Sequence, residues 1–108
     1  MIRYDSKLAN RIMHLVARYY KITDAELKSS TRAPKYSEPR HVAIYCLNKF
    51  AGTGYAQTAK IFYMSHCTAL YAIKKVQDWI DMPILNGEAV KCVTYVKTTI
   101  DNDKTTKD

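Results

Sequence analysis

Between Met64 and Ala69 the chain reads Met64-Ser65-His66-Cys67-Thr68-Ala69, which places two hydroxyls, an imidazole and a thiol within four consecutive residues. Two chemistries suit such a set. A thiol beside an imidazole suggests a nucleophile with its base, but neighbouring residues on a helix point about 100° apart and do not readily share a side-chain hydrogen bond. The other chemistry is recognition. If Ser65 caps a helix, His66 and Thr68 fall in its first turn and project end-on, where imidazole and hydroxyl groups can bond base edges and a Thr methyl can touch a thymine methyl. The competing structural role is that Ser65 and Thr68 merely cap the helix while His66, near the core stripe by wheel angle, sits at the core edge. Elsewhere the catalytic patterns are missing: His14, His41 and His66 lack HExxH or HxH spacing, no GxxxxGK[ST] loop occurs, and no paired carboxylates are framed by a Gly-rich turn. The expectation is a non-enzymatic protein with no metal and no cofactor.

Helices must position these groups. The sequence holds only three Gly and three Pro, and its apolar residues recur at three and four with no convincing strand, so an all-α fold is expected. A first helix is predicted from about Ser6, a candidate cap, to Tyr20, with Leu8, Ile12, Leu15, Val16 and Tyr19 on one stripe. Thr23-Asp24-Ala25-Glu26 has the form of a capping box and opens a short helix ending near Lys28. Residues 29–38 have no apolar period and are expected to form a basic loop, with Pro39 in the first turn of the next helix. That helix turns Ala43, Cys46, Leu47 and Phe50 inward and stops at Gly52-Thr53-Gly54.

A short helix over Tyr55 to Phe62, a turn at Tyr63-Met64 and a longer helix from Ser65 to about Ile80 follow. Ala69, Ile73, Val76 and Ile80 line the core of the longer helix, while Cys67, Tyr71, Lys74, Lys75 and Asp78 fall opposite. A short helix, a tight turn and a longer helix with a polar first turn is the layout of a helix-turn-helix. Asp81-Met82-Pro83 ends this helix. A final helix from about Asn86 to Ile100 carries Val90, Val93, Val96 and Ile100, which makes residues 1–100 one compact multi-helix domain and 101–108 a polar, frayed tail.

The charge points to a polyanion. The chain has 108 residues, 17 Lys plus Arg against 10 Asp plus Glu, and a formal charge of +7, with 47% hydrophobic residues. Such a length supports one core, burying roughly two thirds of the unfolded surface, and rules out a multi-domain enzyme. Residues 1–80 hold 13 basic and 5 acidic side chains, net +8, whereas residues 81–108 hold 4 and 5, net −1. A basic surface of this size meets a polyanion, most often nucleic acid, unless it is only a solvated face. Arg32, Lys35 and Arg40 bracket the loop before the third helix, where a guanidinium can neutralise phosphate or enter a narrow minor groove. Eight of the nine Tyr, including Tyr55, Tyr63 and Tyr71, are candidate hydroxyl donors to phosphate, although half-buried packing accounts for most of them. Met1-Ile2-Arg3-Tyr4-Asp5 leads into no apolar h-region, and no run approaches the roughly 18 apolar residues of a membrane span, so a cytoplasmic protein is expected. Cys46, Cys67 and Cys92, odd in number and without a CxxC pair, are expected as reduced thiols.

Three blocks carry a family resemblance: Val16-Ala17-Arg18-Tyr19-Tyr20-Lys21-Ile22, Pro39-Arg40-His41-Val42-Ala43-Ile44-Tyr45, and Ser65 through Val76. In order and spacing, across roughly residues 8–100, they resemble the C-terminal duplex-DNA-binding domain of DnaA, the bacterial chromosomal replication initiator, whose blocks read approximately VA-x-YY-x-I, PR-x-x-A-M-Y and GGRDHTTV-x-H-A-x-x-K-I. The resemblance implies an all-helical fold whose signature helix reads the major groove while the basic loop reaches the neighbouring minor groove. It implies base contacts for His66 and Thr68, a minor-groove or backbone role for Arg40, and phosphate contact near Lys74 and Lys75.

The departures from this pattern are specific. Ser65 stands at the signature's Asp, Cys67 at its first Thr, Met64 at its Arg and Glu38 at the Arg before the Pro, and one Gly is missing near Tyr63. The initiator's own binding sequence is therefore not implied. The initiator's ATPase module has no counterpart in these residues, so origin unwinding by this chain alone is not expected, and a protein partner carrying that function is a possibility. The expected function is sequence-preferring duplex-DNA binding in replication initiation, its regulation or transcription regulation. The rival is a protein-interaction module that kept the fold and lost base reading, for which Met64, Cys67 and Glu38 speak and the basic loop, His66 and Thr68 speak against.

Overall fold

A computed structural model describes the backbone of residues 6–28 and 34–107 and the side chains of residues 7–28 and 36–102. Six α-helices make up the described chain: α1 (Ser6–Tyr20), α2 (Asp24–Lys28), α3 (Pro34–Phe50), α4 (Tyr55–Ile61), α5 (His66–Asp81) and α6 (Gly87–Lys107), with a single 3-10 turn at Pro83–Leu85 between the last two. The described residues contain no strand, and the fold is all-α as expected.

Helix α1 presents Ile12, Leu15 and Val16 to the core on the stripe its sequence period specifies. It ends in a Schellman motif: the Ile22 N–H donates to the Ala17 carbonyl at 2.9 Å and the Lys21 N–H to the Arg18 carbonyl at 3.1 Å. The residue at the left-handed position is Lys21, with φ 60°, where glycine is the usual occupant. The Thr23 box then closes in both directions. The Thr23 N–H donates to Glu26 Oε1 at 2.8 Å and the Glu26 N–H to Thr23 Oγ1 at 3.0 Å, which satisfies two orphan donors of the five-residue helix α2.

Helix α3 is central, packing on α1, α2, α4, α5 and α6. Val42, Ala43, Ile44, Cys46 and Leu47 are buried along it, and each large apolar side chain removed from water contributes about 2 kcal/mol. The helix starts earlier than its sequence suggests. Pro34 is its first residue, so residues 34–38 are helical rather than loop, and Pro39 lies inside the helix. An internal Pro cannot donate to the carbonyl four residues back, normally a reason for a helix to break. Tertiary ties hold this turn in place. Tyr36 Oη donates to Glu26 Oε2 at 2.9 Å, while Glu38 accepts from Tyr20 Oη at 3.0 Å and from Asn86 Nδ2 at 2.8 Å. The Pro39 ring is fully buried.

Helix α3 stops where Gly52 turns to φ 70°, a conformation that costs glycine nothing, and Asn48 Nδ2 donates to the Thr53 carbonyl at 3.1 Å to fix the corner. Helix α6 is capped by Asn86, whose Oδ1 accepts from the Ala89 N–H at 3.1 Å. It buries Ala89, Cys92, Val93, Val96 and Ile100. A polar tail was expected from Asp101. The backbone instead stays helical through Lys107, since no Gly or Pro interrupts the sequence after Gly87. Among the described residues, no helix is long and apolar enough to cross a membrane.

Candidate nucleic-acid interface

Helices α4 and α5 meet at a corner whose geometry follows from three local features. First, α4 ends in a second Schellman motif: the Met64 N–H donates to the Ala59 carbonyl at 2.9 Å and the Tyr63 N–H to the Lys60 carbonyl at 3.3 Å, with Tyr63 at φ 55°. Second, Ser65 caps α5 from an extended backbone, its Oγ accepting from the Thr68 N–H at 3.1 Å. Third, Ala59 and Phe62 at the end of α4 and Ala69 and Ala72 of α5 are buried, and the two helices pack on each other.

The same arrangement exposes the first turn of α5. Ser65, His66, Cys67 and Thr68 are all exposed, while Ala69, Ile73 and Val76 are buried on the opposite side. His66 is therefore not a core-edge histidine. Its ring lies against Tyr55, the first residue of α4, with centroids 5.6 Å apart and planes inclined by 40°. The Ser65 and Thr68 hydroxyls are 2.8 Å apart, so the cap and the Thr68 side chain form one hydrogen-bonded unit.

Further along α5, Lys74 is exposed, and Lys75 stands over two rings of its own helix, 5.7 Å from the Tyr71 centroid and 5.8 Å from that of Trp79. This bracing along positions four apart limits the freedom of the ammonium group. Tyr71 is exposed and makes an edge contact with His41 of α3 at 6.5 Å. Burial, with help from the charges of Lys75 and Arg40 and against that of Glu38, lowers the His41 imidazole to about 4, so it is neutral near pH 7. The Tyr45 hydroxyl donates to Gln77 Oε1 at 3.1 Å and pins α5 to α3.

Arg40 is placed differently from its expected outward role. Arg40 is only 7% exposed, and its Nε donates to the Leu27 carbonyl at 3.2 Å, tying the last turn of α2 to α3. Its Nε is thereby engaged within the fold rather than free at the surface. Arg32 lies outside the described residues. Lys35 belongs to the first turn of α3, and its side chain is likewise outside them. Glu38, which stands where the resembled pattern has Arg, is half-buried and joins α1, α3 and the cap of α6; burial and the Glu38 charge push the Tyr20 phenol far above its ordinary value and keep it the donor.

The structure thus brings together Ser65, His66, Cys67 and Thr68 at one end of α5 and Tyr71, Lys74 and Lys75 along it. Tyr55 packs beside the first group and Tyr63 precedes its cap by two residues; the sequence named both among the candidate hydroxyl donors to phosphate. A clearer signal was available: from Pro39 to Gln77 the chain contains no Asp or Glu, and this acid-free stretch includes both tyrosines and the whole corner. Of the three thiols, Cys67 is exposed, whereas burial raises Cys46 well above its ordinary value and burial with the Glu88 charge pushes Cys92 up to about 12. Among the described residues, no three His, Cys, Asp or Glu side chains cluster as metal ligands would.

Comparison with known proteins agrees with this corner. The chain is 37% identical over 68 residues to the chromosomal replication initiator protein DnaA of Bdellovibrio bacteriovorus, covering 62% of this chain and 14% of that protein. It is 30% identical over 81 residues to the same-named protein of Agrobacterium fabrum, covering 74% of this chain and 17% of the relative, and 26% identical over 76 residues to that of Onion yellows phytoplasma, covering 70% and 15%. The chain thus spans about one sixth of the length of these relatives. A model of the family described as bacterial dnaA protein helix-turn-helix matches residues 9–76, from the second turn of α1 to the buried Val76 of α5. With its two-helix corner and its matched residues in the same place, the chain belongs to the bacterial dnaA protein helix-turn-helix family.

Proposed function

We propose that this chain is a sequence-preferring duplex-DNA-binding domain that inserts the first turn of α5 into the major groove and serves replication initiation or its regulation, or transcription regulation. The observation that carries the reading is the exposure of His66, Cys67 and Thr68 directly after the Ser65 cap, on a helix whose opposite face is buried. His66 and Thr68 supply base-edge contacts, and Lys74 and Lys75 supply phosphate contacts. Arg40 serves the interface indirectly, by tying α2 to α3, and Arg32 and Lys35 supply positive charge toward the DNA backbone. Met64 and Cys67 replace polar groups of the resembled signature, so the preferred sequence differs from the initiator's. A cytoplasmic setting and an ATPase-bearing protein partner fit the family membership, and the reading assigns no enzymatic activity to these residues.

The test is a fluorescence-anisotropy titration of the chain with random-sequence duplex at about 50 mM and about 200 mM salt. Binding at the lower salt that weakens steeply at the higher is the expected result. No binding at about 50 mM salt overturns the reading in favour of a protein-interaction module.

A further inference from the structure

Among the described residues, two other than glycine occupy the left-handed region, Lys21 and Tyr63, and both close Schellman motifs. A side chain in this conformation crowds its own backbone, and glycine relieves the crowding. Backbone cost alone therefore does not single out Tyr63, because Lys21 bears it too. The position of the ring does. Tyr63 is 78% exposed, so burial of its large apolar surface does not offset the cost. It lies two residues before the Ser65 cap, in the turn that sets the first turn of α5, within the acid-free stretch and three residues after the exposed Lys60. A phenol offers a neutral donor on a rigid stem, suited to a phosphate oxygen at the edge of a groove.

Building on the DNA-binding reading above, we propose that Tyr63 is a phosphate-contacting residue of the interface, its hydroxyl donating to the duplex backbone beside the groove entered by α5. Being uncharged, it adds affinity for all duplexes without releasing an additional counterion.

The test compares the wild-type chain with Tyr63→Gly and Tyr63→Phe in thermal melts and in anisotropy titrations against random duplex over a series of salt concentrations. Tyr63→Gly is expected to melt about 4 °C higher, because the turn relaxes, and to bind about tenfold more weakly with the same salt slope. Tyr63→Phe is expected to melt like the wild type and to lose about fivefold in affinity, as for one hydrogen bond. A Tyr63→Gly chain that melts higher and binds as tightly as the wild type overturns the assignment while leaving the DNA-binding reading intact. A wild-type chain that binds no duplex overturns both.

Discussion

Arg40 Nε donates to the Leu27 carbonyl over 3.2 Å, and this bond closes a loop. It joins the end of α2 to α3, so the residue expected on the surface as a phosphate contact ties two helices together. Two kinds of loss are thereby separable. Arg40→Ala is predicted to lower stability to urea by about 2 kcal/mol, the usual magnitude for a lost hydrogen bond from a charged group, and to leave the salt slope of duplex binding unchanged. Unchanged stability with a slope shallower by about one unit would place the guanidinium on phosphate instead.

The Ser65 cap makes a second prediction. Its Oγ accepts the Thr68 N–H and lies 2.8 Å from the Thr68 hydroxyl, so Ser65→Ala removes the cap and releases Thr68 together. A stability loss of about 1 kcal/mol is expected in urea denaturation, with Ser65→Asp restoring it because a carboxylate caps equally well. If Ser65→Ala is as stable as the wild type, the cap contributes nothing.

His66 is oriented by a neighbour distant in sequence. The Tyr55 ring lies 5.6 Å from it, and an aromatic pair of this kind is worth about 1 kcal/mol. Tyr55→Ala is predicted to reduce the ratio of preferred-site to random-duplex affinity by about fivefold, and Tyr55→Phe to retain it. In a His66→Ala background Tyr55→Ala should change the ratio no further; an equal reduction there would show that Tyr55 acts independently of His66.

Acid stability should report on His41. Its imidazole titrates near 4 in the folded chain and near 6.5 when unfolded, so between these values the unfolded chain binds the proton first. The contribution of neutral His41 is complete above about pH 6.5 and is lost as the pH falls toward 4, by up to about 3 kcal/mol. Comparing urea midpoints of the wild type and His41→Gln from pH 7 to 4 checks this. The variant should lose less stability across that window, and parallel curves would contradict the account.

Much of the fold was legible because its signals are local. The α1 stripe, the Thr23 to Glu26 box, the Ser65 cap and the buried face of α5 each depend on residues within one or two helical turns, and each stands where the sequence places it. The start of α3 was not legible, because the helical turn before Pro39 is held by ties from Tyr20, Glu26, Leu27 and Asn86, which are distant in sequence. The inward turn of Arg40 and the contact of Tyr55 with His66 depend on tertiary neighbours in the same way. Lys21 and Tyr63 close two helices without the usual glycine marker, yet both ends stand where the sequence places them, after Tyr20 and at the Tyr63-Met64 turn. Replacing Lys21 by Gly should stabilise the chain by about 0.5–1 kcal/mol in urea, the relief of left-handed strain less the entropy glycine loses on folding.

The central claim is that the first turn of α5 reads sequence in duplex DNA. Selection of bound duplexes from a randomised pool, run in parallel with the wild type and with a His66→Ala, Thr68→Ala double variant, tests it most directly. The account predicts that the wild type enriches one short motif and that the folded double variant still retains duplex but enriches none. A wild-type chain that enriches no motif, or a double variant that enriches the same motif equally well, would contradict it.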